Sequence, residues 1–213
     1  MEPEVLNAKE ALLKNVFVHS DSFNILYSKF FPEAKSCLSF RQLYLPNDLK
    51  FLYEWVNHPF AKTFWQMEGS IDHLEKTYRG IMQSPFTHSF IGMLNNEPVC
   101  QADVYHVRHD ELNQHVPANE NDYGIHFLMS PVQKKIHNLS VCCMQTLLSF
   151  LFSFKDVERI FGEPDAMNIK ANQLVLKAGF KFLHSIKLSY KTANLYCCTK
   201  QDYMQQHLYG FSL

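Results

Sequence analysis

The clearest alternation in the chain is DYGIHFLM, residues 122–129. Ile125, Phe127 and Met129 share one face, and Gly124, His126 and Leu128 share the other, as successive side chains of a strand must. The pattern therefore sets an ionisable imidazole in an otherwise apolar strand. The period changes after Ser130-Pro131. Leu139, Cys142, Cys143, Thr146, Leu147, Phe150, Leu151 and Phe154 recur at i, i+3, i+4 and i+7, which predicts a long amphipathic helix. Upstream, SFRQLYL (39–45) reads as a strand and PNDLKFLYEWVNHP (46–59) as a helix. Asn47 or Asp48 can cap that helix, and Pro59 stops it. Ser70 can cap a second helix with a stripe of Ile71, Leu74, Tyr78, Ile81 and Met82.

THSFIGML and EPVCQADVYHV flank Asn95-Asn96, two residues that tolerate positive φ, so a β-hairpin is expected there. VERIFGEP reads as a short buried strand. Asn168 caps a helix over IKANQLVLKA, with Gly179 placed to end it. FKFLHSIKL and NLYCCTK close the pattern as a second hairpin. The order describes an α/β (α+β) domain with one mixed sheet over residues 39–213. Residues 1–38 form an N-terminal extension of mixed pattern, in which a short helix fits Ala8–Phe17 and FNILYSKFF fits a strand or a helix.

Composition narrows the function classes. Among 213 residues, 46% are hydrophobic and 19% charged, so the chain can bury a real core. The formal net charge is −1, which supplies no global field toward nucleic acid or anionic membrane. The apolar run VCCMQTLLSFLF is too short to span a bilayer, and MEPEVLNAKEALL lacks the apolar stretch of a signal peptide. The six cysteines form no C-x-x-C and no disulfide framework, which fits reduced thiols in the cytoplasm. His106, His109 and His115 lie in a polar loop whose spacing matches no zinc site, so no metal is expected.

Four pieces then combine. EWVNHPFAKTFWQMEGS (54–70) resembles a W-M-N-x-P-x-V-x-x-F-W stretch. EPVCQADVYHVRHDEL (97–112) is similar to a hairpin that usually carries Glu where Asp103 stands. DYGIHFLM resembles D-x-G-x-H-x-L, and GEPDAMNIKANQLVLKAGFKF (162–182) resembles G-E-P-x-x-x-N…GF. In this order they resemble the GNAT acyltransferases, in particular the siderophore branch of aerobactin-type N-hydroxylysine acetyltransferases and mycobactin lysine N-acyltransferases. The resemblance covers roughly Ser39 to Thr199.

It implies a GNAT fold: a mostly antiparallel mixed sheet flanked by helices, with the family's fourth and fifth strands splayed apart. It also implies an acyl-CoA-dependent N-acyltransferase whose acceptor is a small amine or hydroxylamine, in a monomer or homodimer. His126 would be the general base, since an imidazole titrates near operating pH. Asp165 would face the same cleft, orienting the imidazole or binding the acceptor's ammonium. Acyl-CoA would lie along Phe127, Leu128 and Met129, with the oxyanion held by main-chain N–H groups near Leu128 and Met129. Its pyrophosphate would meet Gln133, Lys134, Lys135, His137, Asn138 and Leu139 at a helix N-terminus, and its pantetheine arm would pass Asn168. Trp65, Asp103 and Tyr105 would contact the acceptor.

One departure stands out. The family's pyrophosphate loop resembles Q/R-x-x-G-x-G/A, whereas PVQKKIHNLS (131–140) has no glycine. Two alternatives to the siderophore reading follow: a transferase for another small amine or a protein N-terminus, or a binding module with a degenerate CoA site.

Overall fold

The computed structural model describes residues 24–131 and 137–208. Eight strands form one sheet in the order β1-β2-β3-β4-β5-β6-β8-β7. They are β1 (Ile25–Phe31), β2 (Ser36–Gln42), β3 (Thr87–Leu94), β4 (Glu97–His106), β5 (Asp122–Met129), β6 (Arg159–Gly162), β7 (Lys181–Lys187) and β8 (Thr192–Thr199). The helices are α1 (Leu45–Val56), α2 (Pro59–Trp65), α3 (Ile71–Gln83), α4 (Leu139–Ser153), α5 (Ile169–Lys177) and α6 (Lys200–Leu208).

Neighbouring strands are antiparallel except β5 and β6, which run parallel. A parallel pair needs a crossover, and α4 supplies it. Within FNILYSKFF, Ile25–Phe31 form edge strand β1, and position 38 lies inside β2, so this part of the extension continues the sheet. The helix expected over Ala8–Phe17 lies outside the described residues.

The two sheet faces carry different layers. Phe90, Ala102, Val104 and Ile125 pack against α4, α5 and α6, while Ile91, Met93 and Leu128 pack against α1 and α3. The α4 stripe read from the sequence is buried from Leu139 to Leu151, with Phe154 half-buried just past the helix, but Val141, Met144, Leu148 and Phe152 outside the stripe are buried too. The reason is that both sides are covered: Phe150 meets Tyr27 of β1 and Phe152 meets Tyr203 of α6. Each fully buried Leu or Phe contributes about 1.5–3 kcal/mol, so packing holds α4 in place without a side-chain cap at its N-terminus.

Local signals behave largely as expected. Ser70 accepts from the His73 N–H, Asn168 accepts from the Ala171 N–H, and Asn95 and Asn96 take φ of 47° and 71° in the β3–β4 turn. Gly179 ends α5 at φ 106°. Two readings change. Tyr44, not Asn47 or Asp48, is the N-cap of α1. Asp48 instead reaches back to the Tyr44 N–H at 2.8 Å and forms a buried two-point ion pair with Arg41 at 2.7 and 2.8 Å. Pro59 does not merely stop α1. Its fixed φ opens the short helix α2, which ends where Gln66 turns left-handed.

Candidate active site

The β5–β6 ladder is short. Only Asp122, Tyr123 and Gly124 pair with β6, at Arg159, Ile160 and Phe161, so the rest of β5 leaves its parallel neighbour. This is the splay. The bond from Ser130 N–H to Val99 O fixes the alternation along β4–β5. It commits the N–H groups of His126 and Leu128 to β4 and turns those of Phe127 and Met129 toward the gap.

A cavity of about 260 Å³ passes through the gap. On one side of the sheet it is walled by Phe64, Trp65 and Met67 from α2 and its exit, and by Thr77 and Ile81 of α3. On the other it is walled by Met144 of α4 and by Ala171, Leu174 and Val175 of α5. Asp103, His126, Glu163, Asp165 and Lys191 bring charge to it.

His126 is held by Glu163, not by Asp165. Its Nε2 lies 2.8 Å from Glu163 Oε1. The other carboxylate oxygen accepts from the Tyr105 hydroxyl at 3.0 Å, and the Lys191 ammonium stands 3.7 Å from Oε1. A carboxylate partner requires a proton on Nε2, which leaves Nδ1 as the nitrogen able to accept one. Tyr105 reaches this place because its ring lies over Gly124. A Cβ there would fall 2.0 Å from the ring's Cζ.

The electrostatics follow from this packing. Burial alone would lower the His126 pKa, but the charge and hydrogen bond of Glu163, helped by Asp103, outweigh it and raise it. The imidazole is 39% exposed and lines the cavity, whereas Glu163 is only 3% exposed. Burial pushes Glu163 upward, yet His126, Lys191 and Tyr105 overcome this and hold it below the usual carboxylate range. Burial raises Asp103, against hydrogen bonds from Ser89 and Gln101.

The expected site residues separate into groups. His126, Phe127, Trp65, Asp103, Asp165 and Asn168 all line the cavity. Trp65 meets the His126 ring edge-on at 6.4 Å. Asp165 is turned into its own loop: Oδ1 accepts from the Met167 N–H at 2.7 Å, and its carbonyl accepts from Asn172. Pairing with β8 at Ala193 fixes this orientation, which is why Asp165 does not orient the imidazole. Tyr105 is buried and serves Glu163 rather than reaching the cavity.

Leu128 packs its side chain under α1 and α3, and its N–H belongs to β4, so the oxyanion donors suited to the gap are Phe127 and Met129. Gln133, Lys134 and Lys135 lie outside the described residues. His137 is exposed and Leu139 buried. Between them Asn138 adopts φ 55°, the left-handed turn a glycine would otherwise supply. The first bond of α4 runs from Cys142 N–H to Asn138 O, so the N–H groups of Leu139, Ser140 and Val141 precede the helical ladder and suit an anionic group. The gap, its two N–H groups and this helix end fit a long thioester with a charged tail.

Glu163 and Lys191 were missed at the sequence level. Glu163 was visible within GEP, but strand periodicity does not say which carboxylate at a strand end turns inward. Lys191 comes from the β7–β8 turn and has no local signal.

Residues 45–188 match the family described as acetyltransferase (GNAT) domain. The chain is 25% identical over 177 residues to an N-hydroxyputrescine acetyltransferase of Acinetobacter baumannii, covering 83% of this chain and 84% of that one. It is 20% identical over 182 residues to an N(6)-hydroxylysine O-acetyltransferase of Escherichia coli, covering 85% of this chain and 58% of that protein. An uncharacterized protein from Bacillus halodurans shares the fold with a TM-score of 0.80 at 22% identity, over 87% of this chain and 95% of that one. The aminoglycoside acetyltransferase AAC(6')-Ib, solved with coenzyme A, does so with a TM-score of 0.73 at 21% identity, over 80% and 99%.

Proposed function

The chain belongs to the acetyltransferase (GNAT) domain family, and from that premise we propose that it moves a short acyl group from acyl-CoA to the nitrogen of an N-hydroxylated diamine or amino acid. This is the acceptor chemistry of hydroxamate siderophore assembly. The observation that carries the reading is the His126–Glu163 pair beside a cavity lined from both sides of the sheet. Two substrates can then meet at the imidazole from opposite faces.

The thioester supplies an activated carbonyl and a thiolate leaving group. The protein must position the acceptor, take its proton and hold charge on the carbonyl oxygen. His126 Nδ1 accepts the nitrogen's proton as the N–C bond forms and the C–S bond breaks. Glu163 stabilises the resulting imidazolium and keeps its ring oriented. The N–H groups of Phe127 and Met129 point into the gap where the carbonyl oxygen would gain charge. The proton is then free to pass to the departing thiolate.

The relatives' names support an N-hydroxylated acceptor, since an N-hydroxyputrescine acetyltransferase and an N(6)-hydroxylysine O-acetyltransferase, the second named for transfer to oxygen, both match most of this chain. The test is direct. Purified protein is mixed with acetyl-CoA and either N-hydroxyputrescine or N6-hydroxylysine, and the acylated product is read by mass spectrometry. His126→Ala is expected to lower kcat/KM by about 10²–10⁴-fold. An unchanged rate in that variant, or no product from either acceptor, overturns the reading.

A further inference from the structure

Asp103 helps hold the His126 pKa up but carries no proton in the transfer described above. It lies directly opposite His126 in the β4–β5 ladder, in a hydrogen-bonded pair of strand residues whose Cα atoms sit about 5.5 Å apart. Their side chains therefore share one face. Asp103 is 4% exposed, and that edge lines the cavity. Both of its internal hydrogen bonds, from the Ser89 hydroxyl and the Gln101 amide, reach Oδ1. Oδ2 accepts from no donor among the described residues. Trp65, on the same wall, carries an indole N–H without a partner among the described residues. A buried polar atom left open costs free energy, and the unpartnered Trp65 N–H, with the Asp103 carboxylate lining the same cavity beside the imidazole, marks a place where a ligand's polar group belongs.

Geometry limits what that group can be. An atom that gives its proton to His126 sits within about 3 Å of the imidazole. A hydroxyl bonded to that atom lies one bond further out, within reach of the side chain opposite His126 in the ladder. We propose that Asp103 Oδ2 accepts a hydrogen bond from the hydroxyl on the nucleophilic nitrogen, so that the enzyme selects N-hydroxylated amines over the parent amines. The assignment rests on the acyltransferase reading and sharpens its acceptor class. Asp103 is a specificity residue here, and the N–C bond still forms with the nitrogen's proton passing to His126.

The experiment compares three acceptors with acetyl-CoA: N-hydroxyputrescine, its O-methyl ether, and putrescine. The O-methyl ether keeps the nucleophilic nitrogen and loses the hydroxyl proton. A hydrogen bond to a charged group corresponds to about 10- to 100-fold in kcat/KM. Wild-type protein is expected to lose that factor on the O-methyl ether. Asp103→Asn is expected to narrow the ratio between N-hydroxyputrescine and putrescine by a similar factor, and to show no further loss on the ether. Equal wild-type turnover of the hydroxylated and O-methylated acceptors overturns the Asp103 assignment and leaves acyl transfer standing. A ratio unchanged in Asp103→Asn overturns it too. Turnover of none of the three removes the acyltransferase reading for this acceptor class, and the Asp103 assignment with it. The ether comparison uses only wild-type protein, so a variant that folds poorly does not decide the outcome.

Discussion

Replacing Glu163 by Gln keeps an oxygen for the His126 Nε2–H but removes the negative charge that raises the imidazole pKa. A base works only when deprotonated, so the rate rises as pH passes its pKa. With the carboxylate gone, burial is left as the dominant influence and lowers that pKa. The acid limb of the kcat/KM profile is therefore expected to move to lower pH in Glu163→Gln, with a lower plateau because the imidazolium loses its counter-charge. A limb that stays in place would show that another group titrates. Gly124→Ala tests the same pair from behind. Its methyl would meet the Tyr105 ring at 2.0 Å, and that ring is buried. Overpacking of this kind costs about 1–3 kcal/mol, readable as a lower urea midpoint. The displaced phenol also releases Glu163, so activity should fall with stability.

At the scale of elements, α1 and α4 depend on different devices. The first turn of α1 is tied to β2 by the buried Arg41–Asp48 pair and by the Asp48 bond to the Tyr44 N–H. Asp48→Ala takes the carboxylate from a buried guanidinium that keeps its bond to the Gln42 carbonyl, which costs about 3–5 kcal/mol in urea unfolding. A loss below 1 kcal/mol would mean that packing alone seats the helix. The start of α4 turns on the left-handed Asn138. Asn138→Gly removes the steric penalty at φ 55°, whereas Asn138→Val adds a β-branched side chain there and strains the turn by about 1–3 kcal/mol. Calorimetry with CoA should show binding kept in Asn138→Gly and weakened in Asn138→Val. Equal affinities in both would place the anion site elsewhere.

Across the molecule, what was legible in the sequence is what local physics fixes. Alternation put His126 on its strand face, Asn95-Asn96 made a hairpin, and Ser70, Asn168 and Gly179 bounded helices as their conformational preferences demand. The fold followed from the order of these pieces together with the family resemblance. Contacts set by tertiary geometry were not legible. Asp165 and Glu163 are two residues apart on one segment, and only the pairing of β6 with its neighbours decides that Glu163 faces the imidazole. Helix α2, hidden behind a proline read as a stop, delivers Trp65.

That same tertiary pair has a signature in stability as well as in rate. His126 has a raised pKa in the folded protein, so its contribution is full below the unfolded imidazole value of 6.5 and fades as pH climbs through the folded value. Glu163 has a lowered pKa, so its contribution is full above the unfolded value of 4.5 and fades as pH falls through the folded value. The two overlap between the unfolded values, on the acid side of neutrality. Urea midpoints of wild type and Glu163→Gln, measured from pH 5 to 9, should therefore differ most near pH 5–6. The gap should close partway as the imidazole loses its proton, and the remainder should persist because Lys191 still faces the carboxylate. A gap independent of pH would mean that Glu163 stabilises the fold through Tyr105 and Lys191 alone, with no ion pair to His126.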